Sequence, residues 1–269
     1  MRGQAAVAAI SIVTSALSLR AQTAPPPNPG TPLVEYPHPL ITEIFFSVPA
    51  SGGDANADGQ RDAAGDEFIE LTNPHAEPIN LLGYEIADRP TASQFRFRFP
   101  DLTLAPGETV IVFNGHDCQW RGPVGDDQRA PEAAHELFSS AWVFTARAPS
   151  QYTSFANTAE FVLLTSPGAQ PVHAIVWGSP DDAPPPETAV IERVGAVRGR
   201  SVQRLAPGGP LHEHPQAIDS PEGLLTFDLP CSPGVALPGW KPPEPAPAAP
   251  ETKPAESYPP APPPSGPPE

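Results

Sequence analysis

Short apolar runs separated by turn residues extend through the middle of the chain, between residues 40 and 205. The runs are rich in Ile, Val, Phe and Thr, whose side chains favour β-strands. They lie at 40–46, 67–71, 84–87, 95–99, 109–113, 160–164, 172–177 and 201–205. Eight short strands of this kind predict an all-β fold in the form of an antiparallel β-sandwich.

The clearest strand pattern is the strict alternation of Phe and Arg over residues 95–99. Successive side chains of a strand point to opposite faces of the sheet. The three phenylalanines should therefore face the core, and the two arginines should face the solvent. Segment 104–108, with the sequence Leu-Ala-Pro-Gly-Glu, has the composition of a tight turn and predicts a hairpin between the strands on either side.

The N-terminal end of the chain predicts export. An apolar run at 5–19 follows Met1 and Arg2 and is too short to span a bilayer. Its length is typical of the apolar region of a secretory signal peptide, so residues 1–21 are predicted to be one. Residues 22–39 form a Pro-rich spacer after it. We expect a secreted or cell-envelope protein, extracellular or periplasmic, without a membrane span.

The C-terminal end is a second Pro-rich region. Residues 238–269 contain 14 prolines in 32 positions. Such a segment buries too little apolar surface to form a core, so we predict an extended, disordered tail. Residues 207–237 are predicted to be an extension that packs on the domain.

The charge of the chain narrows the range of partners. The sequence has 31 Asp and Glu against 15 Lys and Arg, a formal net charge of -16. A strongly acidic protein has no positive field with which to collect phosphates. We therefore expect neither nucleic-acid binding nor docking on anionic lipid.

The strongest chemical signal is an acidic loop between the first two predicted strands. Residues 54–62 have the sequence Asp-Ala-Asn-Ala-Asp-Gly-Gln-Arg-Asp, with oxygen ligands at alternate positions and Gly at the sixth. This pattern matches the first half of an EF-hand calcium loop, although its twelfth position is Gly65. The predicted structural Ca2+ ligands are Asp54, Asn56, Asp58, Gln60 through its carbonyl, Asp62, Asp66 and Glu67. The alternative is an ordinary acidic turn, which favours the same residue types.

The chain contains two cysteines, Cys118 and Cys231. In an oxidising compartment an even number of cysteines favours a disulfide, here between distant segments. The alternative is two free thiols. Neither cysteine has the spacing of a zinc site.

Seven segments resemble, in order, the lamin tail domain of secreted bacterial proteins. They are 41–44, 67–74, 79–88, 104–113, 155–164, 172–178 and 201–205. The resemblance covers about residues 40–206 and implies an immunoglobulin-like β-sandwich, in agreement with the strand pattern. Tyr84 stands where the family usually has Trp, and residues 116–151 look like an insertion.

The resemblance does not imply a single activity. Bacterial members of the family are commonly attached to secreted nucleases, esterases and other surface proteins as non-catalytic modules, and the chain has no GxSxG, HExxH or phosphate-loop motif. We expect a non-enzymatic binding or adhesion module for an extracellular protein or glycan. The alternatives are an accessory subunit or truncated relative of a secreted hydrolase or nuclease, and a purely structural envelope protein.

Two groups of residues are weaker candidates for a functional role. Glu43, Glu70 and Asp88 could approach one another across the sheet, but paired carboxylates act in hydrolysis only within a cleft. Exposed aromatic side chains are common anchors of recognition, which makes Trp120, Trp142 and Trp240 candidate contact residues. Trp177 lies in an apolar run and is predicted to belong to the core.

Overall fold

A computed structural model describes residues 37–89, 94–205, 209–215, 217–220, 223–226 and 229–235. The predicted signal peptide, most of the Pro-rich spacer, Trp240 and the C-terminal tail lie outside the described residues.

Strands dominate the part of the chain that the structure describes. They are β1 (Leu40–Phe45), β2 (Phe68–Thr72), β3 (Ile79–Asn80), β4 (Glu85–Ala87), β5 (Arg96–Arg98), β6 (Thr103–Leu104), β7 (Thr109–Phe113), β8 (Trp142–Thr145), β9 (Glu160–Thr165), β10 (Pro171–Trp177), β11 (Val190–Val194), β12 (Val202–Arg204), β13 (Leu211–Glu213), β14 (Ala217–Ser220) and β15 (Gly223–Thr226). Single turns of 3-10 helix cover Glu136–Phe138 and Gln151–Thr153.

The strands form two large sheets. The six-stranded sheet has the order β13-β12-β1-β2-β7-β8, and the five-stranded sheet has the order β11-β10-β9-β4-β5. The small pairs β3-β6 and β14-β15 complete the described strands. The pairs β7–β8 and β10–β11 are parallel, whereas the other pairs in these sheets are antiparallel. All eight strands predicted from the sequence are confirmed.

Aromatic side chains join the two large sheets into a sandwich. Phe46 stacks on Trp177 with ring centroids 4.3 Å apart, which confirms Trp177 as a core residue. Phe97 and Phe99 pack edge-on against Phe144 of the six-stranded sheet, at 5.4 and 5.7 Å. The predicted alternation over 95–99 is also confirmed, since the three phenylalanines are buried and the two arginines are exposed.

The six-stranded sheet is buried on its other face as well. Alternate residues of four neighbouring strands contribute to a second apolar cluster, which includes Phe45, Phe68, Ile111, Phe113 and Val143. Phe138 and Cys231 cover this cluster from segments outside those strands. Burial on both faces explains why the apolar runs of β1 and β7 are nearly continuous rather than alternating.

Part of that cover comes from the segment that the sequence pattern suggested was an insertion. Residues 116–151 contain β8, which pairs in parallel with β7 and places Phe144 in the sandwich core. The segment is therefore partly integrated into the six-stranded sheet.

The structure shows no helix among the described residues that is long and apolar enough to cross a membrane.

The other part of the cover is a segment near the C-terminus, residues 229–235, which we call the C-terminal strap. The Ser201 amide donates to the carbonyl of Pro230, and the Cys231 side chain enters the second apolar cluster. Gly234 has a φ of +79°, and an added Cβ there would lie 2.2 Å from the Phe138 carbonyl oxygen. Only glycine allows the strap to approach the insertion this closely.

Candidate functional site: the acidic loop and the insertion beside it

The acidic loop, residues 54–67, is a series of turns closed by its own side chains. Asn56 Oδ1 accepts a hydrogen bond from the Asp58 amide at 2.9 Å, and Asp58 Oδ1 accepts one from the Gln60 amide at 2.8 Å. Ala57 and Gly59 have φ values of +57° and +92° between these bonds. Asn and Asp are favoured here because their short side chains satisfy the backbone two residues further on.

Asp66 holds the two ends of these turns together. Its Oδ1 accepts the Asn56 amide at 3.1 Å, and its Oδ2 accepts the Asp62 amide at 2.7 Å. Burial raises the pKa of Asp66 to about 6, although the donated N–H groups oppose the shift and the neighbouring Asp54 adds to it. The next residue, Glu67, is also buried and accepts the Phe155 amide at 2.9 Å.

The outer part of the loop has more negative than positive charge. Asp54 Oδ2 accepts the Gly59 amide at 3.0 Å, whereas its buried Oδ1 has no hydrogen-bond partner among the described residues. The side chain of Arg61 turns away and donates to the carbonyls of Val48 and Pro49. The loop is therefore attractive to a cation at Asp54.

The same loop fixes the start of the insertion. Asp58 Oδ2 accepts the Gln119 amide at 3.0 Å, and Asn56 Nδ2 lies 2.8 Å from Cys118 Sγ. A Cβ added at Gly65 would lie 2.3 Å from the His116 carbonyl oxygen. The loop and residues 116–119 are thus packed too closely to move independently.

The seven predicted calcium ligands therefore all lie in the acidic loop, but most already serve as acceptors for backbone N–H groups. Among the described residues, no three His, Cys, Asp or Glu side chains are grouped so that they could hold a metal ion. A carboxylate has about four lone-pair sites, so one bonded to an N–H group can still accept a cation. Of the predicted ligand side chains, Asp54 supplies the one oxygen, Oδ1, that is buried without a hydrogen-bond partner among the described residues, and calcium binding stays a prediction.

A second group of acids, which the sequence did not reveal, surrounds Glu160 at the start of β9. Burial raises the pKa of Asp88 to about 7, and the charge of Glu160 adds to this shift. Burial also raises the pKa of Glu67, and the negative charges of Glu160 and Asp88 add to this increase. Arg89 Nε lies 3.0 Å from Glu160 Oε1.

A third acidic group is the buried pair Glu43 and Glu70, which are direct cross-strand neighbours on β1 and β2. The C-terminal strap donates to both, from the Ser232 amide to Glu43 Oε1 at 2.9 Å and from the Gly234 amide to Glu70 Oε2 at 2.8 Å. The predicted approach of these two glutamates is confirmed. The prediction that Asp88 joins them is wrong, because Asp88 follows β4 in the other sheet and interacts with Glu160.

The two cysteines lie beside the first and third of these acidic groups. The structure contains both as free thiols, so the predicted disulfide is not shown. Burial, then Asp58, Asp66 and Asp62, raise the pKa of Cys118 to about 12. Burial, then Glu43 and Asp66, raise that of Cys231. Asp66 therefore contributes to the raised pKa of both thiols.

The exposed side chains near the insertion differ from those expected. Trp120 packs on Phe113 with ring centroids 5.3 Å apart, and Trp142 donates to Glu108, so both are partly buried. The large exposed residues here are instead Leu137, at 65% exposure, and Tyr152, at 76%. Each lies in a 3-10 turn, which sequence periodicity does not reveal.

The two packed sheets, with no long helix in the part of the chain that the structure describes, define an immunoglobulin-like β-sandwich. The model of one family, the Lamin Tail Domain, matches residues 41–179, just over half of the chain. The chain belongs to the lamin tail domain family, whose domain is immunoglobulin-like and non-catalytic. No curated protein matches the chain.

Proposed function

We propose that the chain is an exported, non-enzymatic binding or adhesion module for an extracellular protein or glycan. The observation that supports this is the presentation of Leu137 and Tyr152 on short, fixed turns next to the six-stranded sheet. Large side chains that remain exposed on a rigid scaffold suit recognition, because little conformational freedom is lost on binding.

The anchoring of the insertion adds support. Phe138, next to Leu137, packs on Phe113 of β7 with ring centroids 5.5 Å apart. Tyr152 lies next to Thr153, whose carbonyl accepts a hydrogen bond from the buried Asn114 side chain. Both exposed residues are therefore one position away from a buried anchor, which fixes their backbone.

Calcium is part of the same proposal. A hard cation at Asp54 and Asn56 would offset the repulsion between the acids of the loop. Through the Asp58–Gln119 contact, an ordered loop stabilises the start of the insertion at residues 116–119. Calcium would thus stabilise the scaffold that presents Leu137 and Tyr152 without touching the partner.

The test is binding of the purified chain to arrays of glycans and to extracellular proteins of the native host, with calcium and with chelator. Replacing Leu137 and Tyr152 together by serine should abolish the captured signal. The matched control is Leu82→Ser, which removes a leucine of similar exposure (57%) outside the insertion. Equal loss in the control and the double variant, or no capture at all, would contradict the proposed recognition surface.

A further inference from the structure

The C-terminal strap meets a row of buried polar side chains on the six-stranded sheet. Glu43 on β1 is the cross-strand neighbour of Glu70 on β2 and of Gln203 on β12, so the three residues lie side by side. All three are buried, as is Ser232 of the strap, which contacts Glu43 and Gln203. A hydroxyl, a carboxyl and a carboxamide are thus brought together in the interior of the protein.

The Ser232 hydroxyl lies between the carboxyl and the carboxamide. Its Oγ is 3.2 Å from Glu43 Oε2 and 2.9 Å from Gln203 Oε1. Because a C=O bond is about 1.2 Å long, the Gln203 carbonyl carbon, Cδ, lies within about 4 Å of Ser232 Oγ. A small rotation of either side chain therefore brings the two atoms to a reactive separation of about 3 to 3.5 Å.

The backbone of the strap holds Ser232 in this position. The Ser232 amide donates to Glu43 Oε1 at 2.9 Å, and the Gly234 amide donates to Glu70 Oε2 at 2.8 Å. On the other side of Ser232, the carbonyl of Pro230 accepts the Ser201 amide at 3.0 Å. A nucleophile and an acyl group that are fixed beside each other react as a single molecule, without the entropic cost of an encounter.

The Gln203 carboxamide has a donor that the fold does not use. Its Nε2 is buried and has no hydrogen-bond partner among the described residues, whereas Oε1 accepts the Ser232 hydroxyl. A buried donor without an acceptor destabilises the folded state. Loss of this nitrogen as ammonia would remove the unsatisfied group, which gives the folded protein a reason to favour acyl transfer at this position.

Glu43 is placed to move the protons of such a reaction. Its Oε1 accepts the Ser201 hydroxyl and the Ser232 amide, whereas its Oε2 contacts the Ser232 hydroxyl. Burial raises the pKa of Glu43 to about 7, so the carboxyl can take and return a proton near neutral pH. The acidic groups beside it, Glu70 and the Cys231 thiol, have higher pKa values, so Glu43 ionises first.

We propose that Ser232 and Gln203 form an intramolecular ester bond, which joins the C-terminal strap to β12. Glu43 takes the proton of the Ser232 hydroxyl while Oγ attacks Cδ of Gln203 and forms the new C–O bond. The Cδ–Nε2 bond then breaks, and the nitrogen takes the proton from Glu43 and leaves as ammonia. One hydroxyl and one carboxamide give one ester and one ammonia, so the reaction needs no oxidant, metal or second substrate.

The ester would fix the strap on the sheet under reducing conditions as well as oxidising ones. In this respect it differs from a Cys118–Cys231 disulfide, which requires an oxidant. The ester involves neither calcium nor the exposed residues Leu137 and Tyr152, so its absence would leave the proposed recognition surface unaffected.

Mass spectrometry of the full chain tests the ester directly. After folding and incubation at neutral pH, the mass should be lower than that calculated for the same residues by one ammonia, about 17 Da. Trypsin cleaves after Arg200 and Arg204, so it releases residues 201–204 as a free tetrapeptide when no ester is present. With the ester, the tetrapeptide should stay attached to the peptide that begins at Leu205 until hydroxylamine releases it.

Variants assign the bond to these side chains. Ser232→Ala lacks the nucleophile and Gln203→Met lacks the carboxamide, so each should have its full calculated mass. Glu43→Met retains both reacting groups without the base and should form the ester at least about tenfold more slowly. The matched control is Ser47→Ala, since Ser47 is a buried serine that accepts the Gly199 amide, outside the row; it should form the ester like the wild type.

The wild-type chain decides the question even if a variant fails to fold. A full calculated mass together with a free 201–204 tetrapeptide would overturn the proposal. Loss of ammonia in the folded Ser232→Ala variant would also overturn it, because the nitrogen would then leave without the serine hydroxyl.

Discussion

The acidic loop and the Glu43–Glu70 pair both concentrate carboxylates, but the protein compensates their charge in different ways. In the loop, Asp54, Asp58 and Asp66 accept backbone N–H groups, and Asp54 and Asp62 remain partly exposed. The pair is buried, and its bonded donors among the described residues are neutral hydroxyl and amide groups.

This difference shows how burial decides the state of an acid. Burial raises the pKa of Glu43 to about 7, against the lowering effect of its serine donors. Burial, and then the charge of Glu43, raises the pKa of Glu70 to about 8. The Glu43–Glu70 pair thus retains a proton near neutral pH. This proton, and not a bound cation, reduces the repulsion between the two carboxylates. For the loop, we predict that the counter-charge is instead a cation from solution.

The largest expected effect on stability is that of a disulfide between Cys118, beside the acidic loop, and Cys231, in the strap that caps the Glu43–Glu70 pair. Cys118 contacts the acidic loop and Cys231 lies in the C-terminal strap, 113 positions apart in the sequence. A disulfide between them should stabilise the fold by about 4 to 5 kcal/mol, because it restricts the unfolded chain. Mass spectrometry of non-reduced peptides from exported protein identifies the bond, and a melt with and without reductant measures its effect. Two alkylatable thiols in the folded, exported protein would refute the prediction.

The next effect concerns the centre of the loop. Asp66→Ala removes the acceptor of two amides, those of Asn56 and Asp62, and should lower the free energy of unfolding by about 3 kcal/mol. Denaturant unfolding measures the loss. Asp101→Ala is the control, because Asp101 is exposed and, among the described residues, its carboxylate accepts a single side-chain donor, Asn80. A loss below about 0.5 kcal/mol at Asp66 would mean that water replaces its role.

The third prediction concerns the buried pair. The pKa values of Glu43 and Glu70 are raised above their ordinary 4.5, so their contribution to stability is complete below pH 4.5. It is lost as the pH rises through about 7 and 8. Glu43→Gln keeps an acceptor for the Ser201 hydroxyl and the Ser232 amide but removes one titrating group.

Between pH 5 and pH 8.5 the wild-type chain should therefore lose on the order of 2 kcal/mol more stability than the Glu43→Gln variant. Urea unfolding at each pH gives the two slopes. The control is Glu77→Gln, since Glu77 is exposed and lies outside both strands, in the segment that follows β2. Parallel pH profiles for wild type and Glu43→Gln would show that the pair holds no proton.

The smallest effect is that of calcium on the loop. An extracellular-type site has a dissociation constant of about 10⁻⁴ to 10⁻³ M, so millimolar calcium should stabilise the fold by about 1 kcal/mol. Asp58→Ala should abolish this increment, whereas Asp101→Ala should retain it. Calorimetry without a binding heat, together with a melting temperature unaffected by chelator, would leave the loop as an acidic turn.

The sequence predicted the sandwich well because its central strands carry long apolar runs. It missed β8 and β11, which are edge strands paired in parallel with β7 and β10. Their edge position is not the reason, since the edge strand β5 has the clearest alternation and β8 is largely buried. A strand with a parallel partner is not joined to it by a tight hairpin, so no turn signal marks the pair. The β8 sequence was instead assigned to an insertion.

For the candidate sites, the sequence located the acidic loop but not the function of each residue in it. The pattern of Asp and Asn is the same for a calcium loop and for a chain of side-chain-capped turns. Asp66 joins the Asn56 and Asp62 amides only after the loop has closed, so the sequence alone does not show this role. The environment of Glu160 depends on strands more than 70 positions apart, which no local motif records.

The C-terminal strap also has a consequence for the order in which the domain folds. The Ser232 amide that donates to Glu43 on β1 lies 189 positions later in the chain. The strand β1 itself pairs with β2 on one side and with the late strand β12 on the other. Contacts between such distant positions slow folding, because a long loop must close before they form. An emerging N-terminal strand therefore stays incompletely paired until nearly the whole chain has appeared. The completed six-stranded sheet is therefore a late product of folding, because its first strand depends on residues near the end of the described chain.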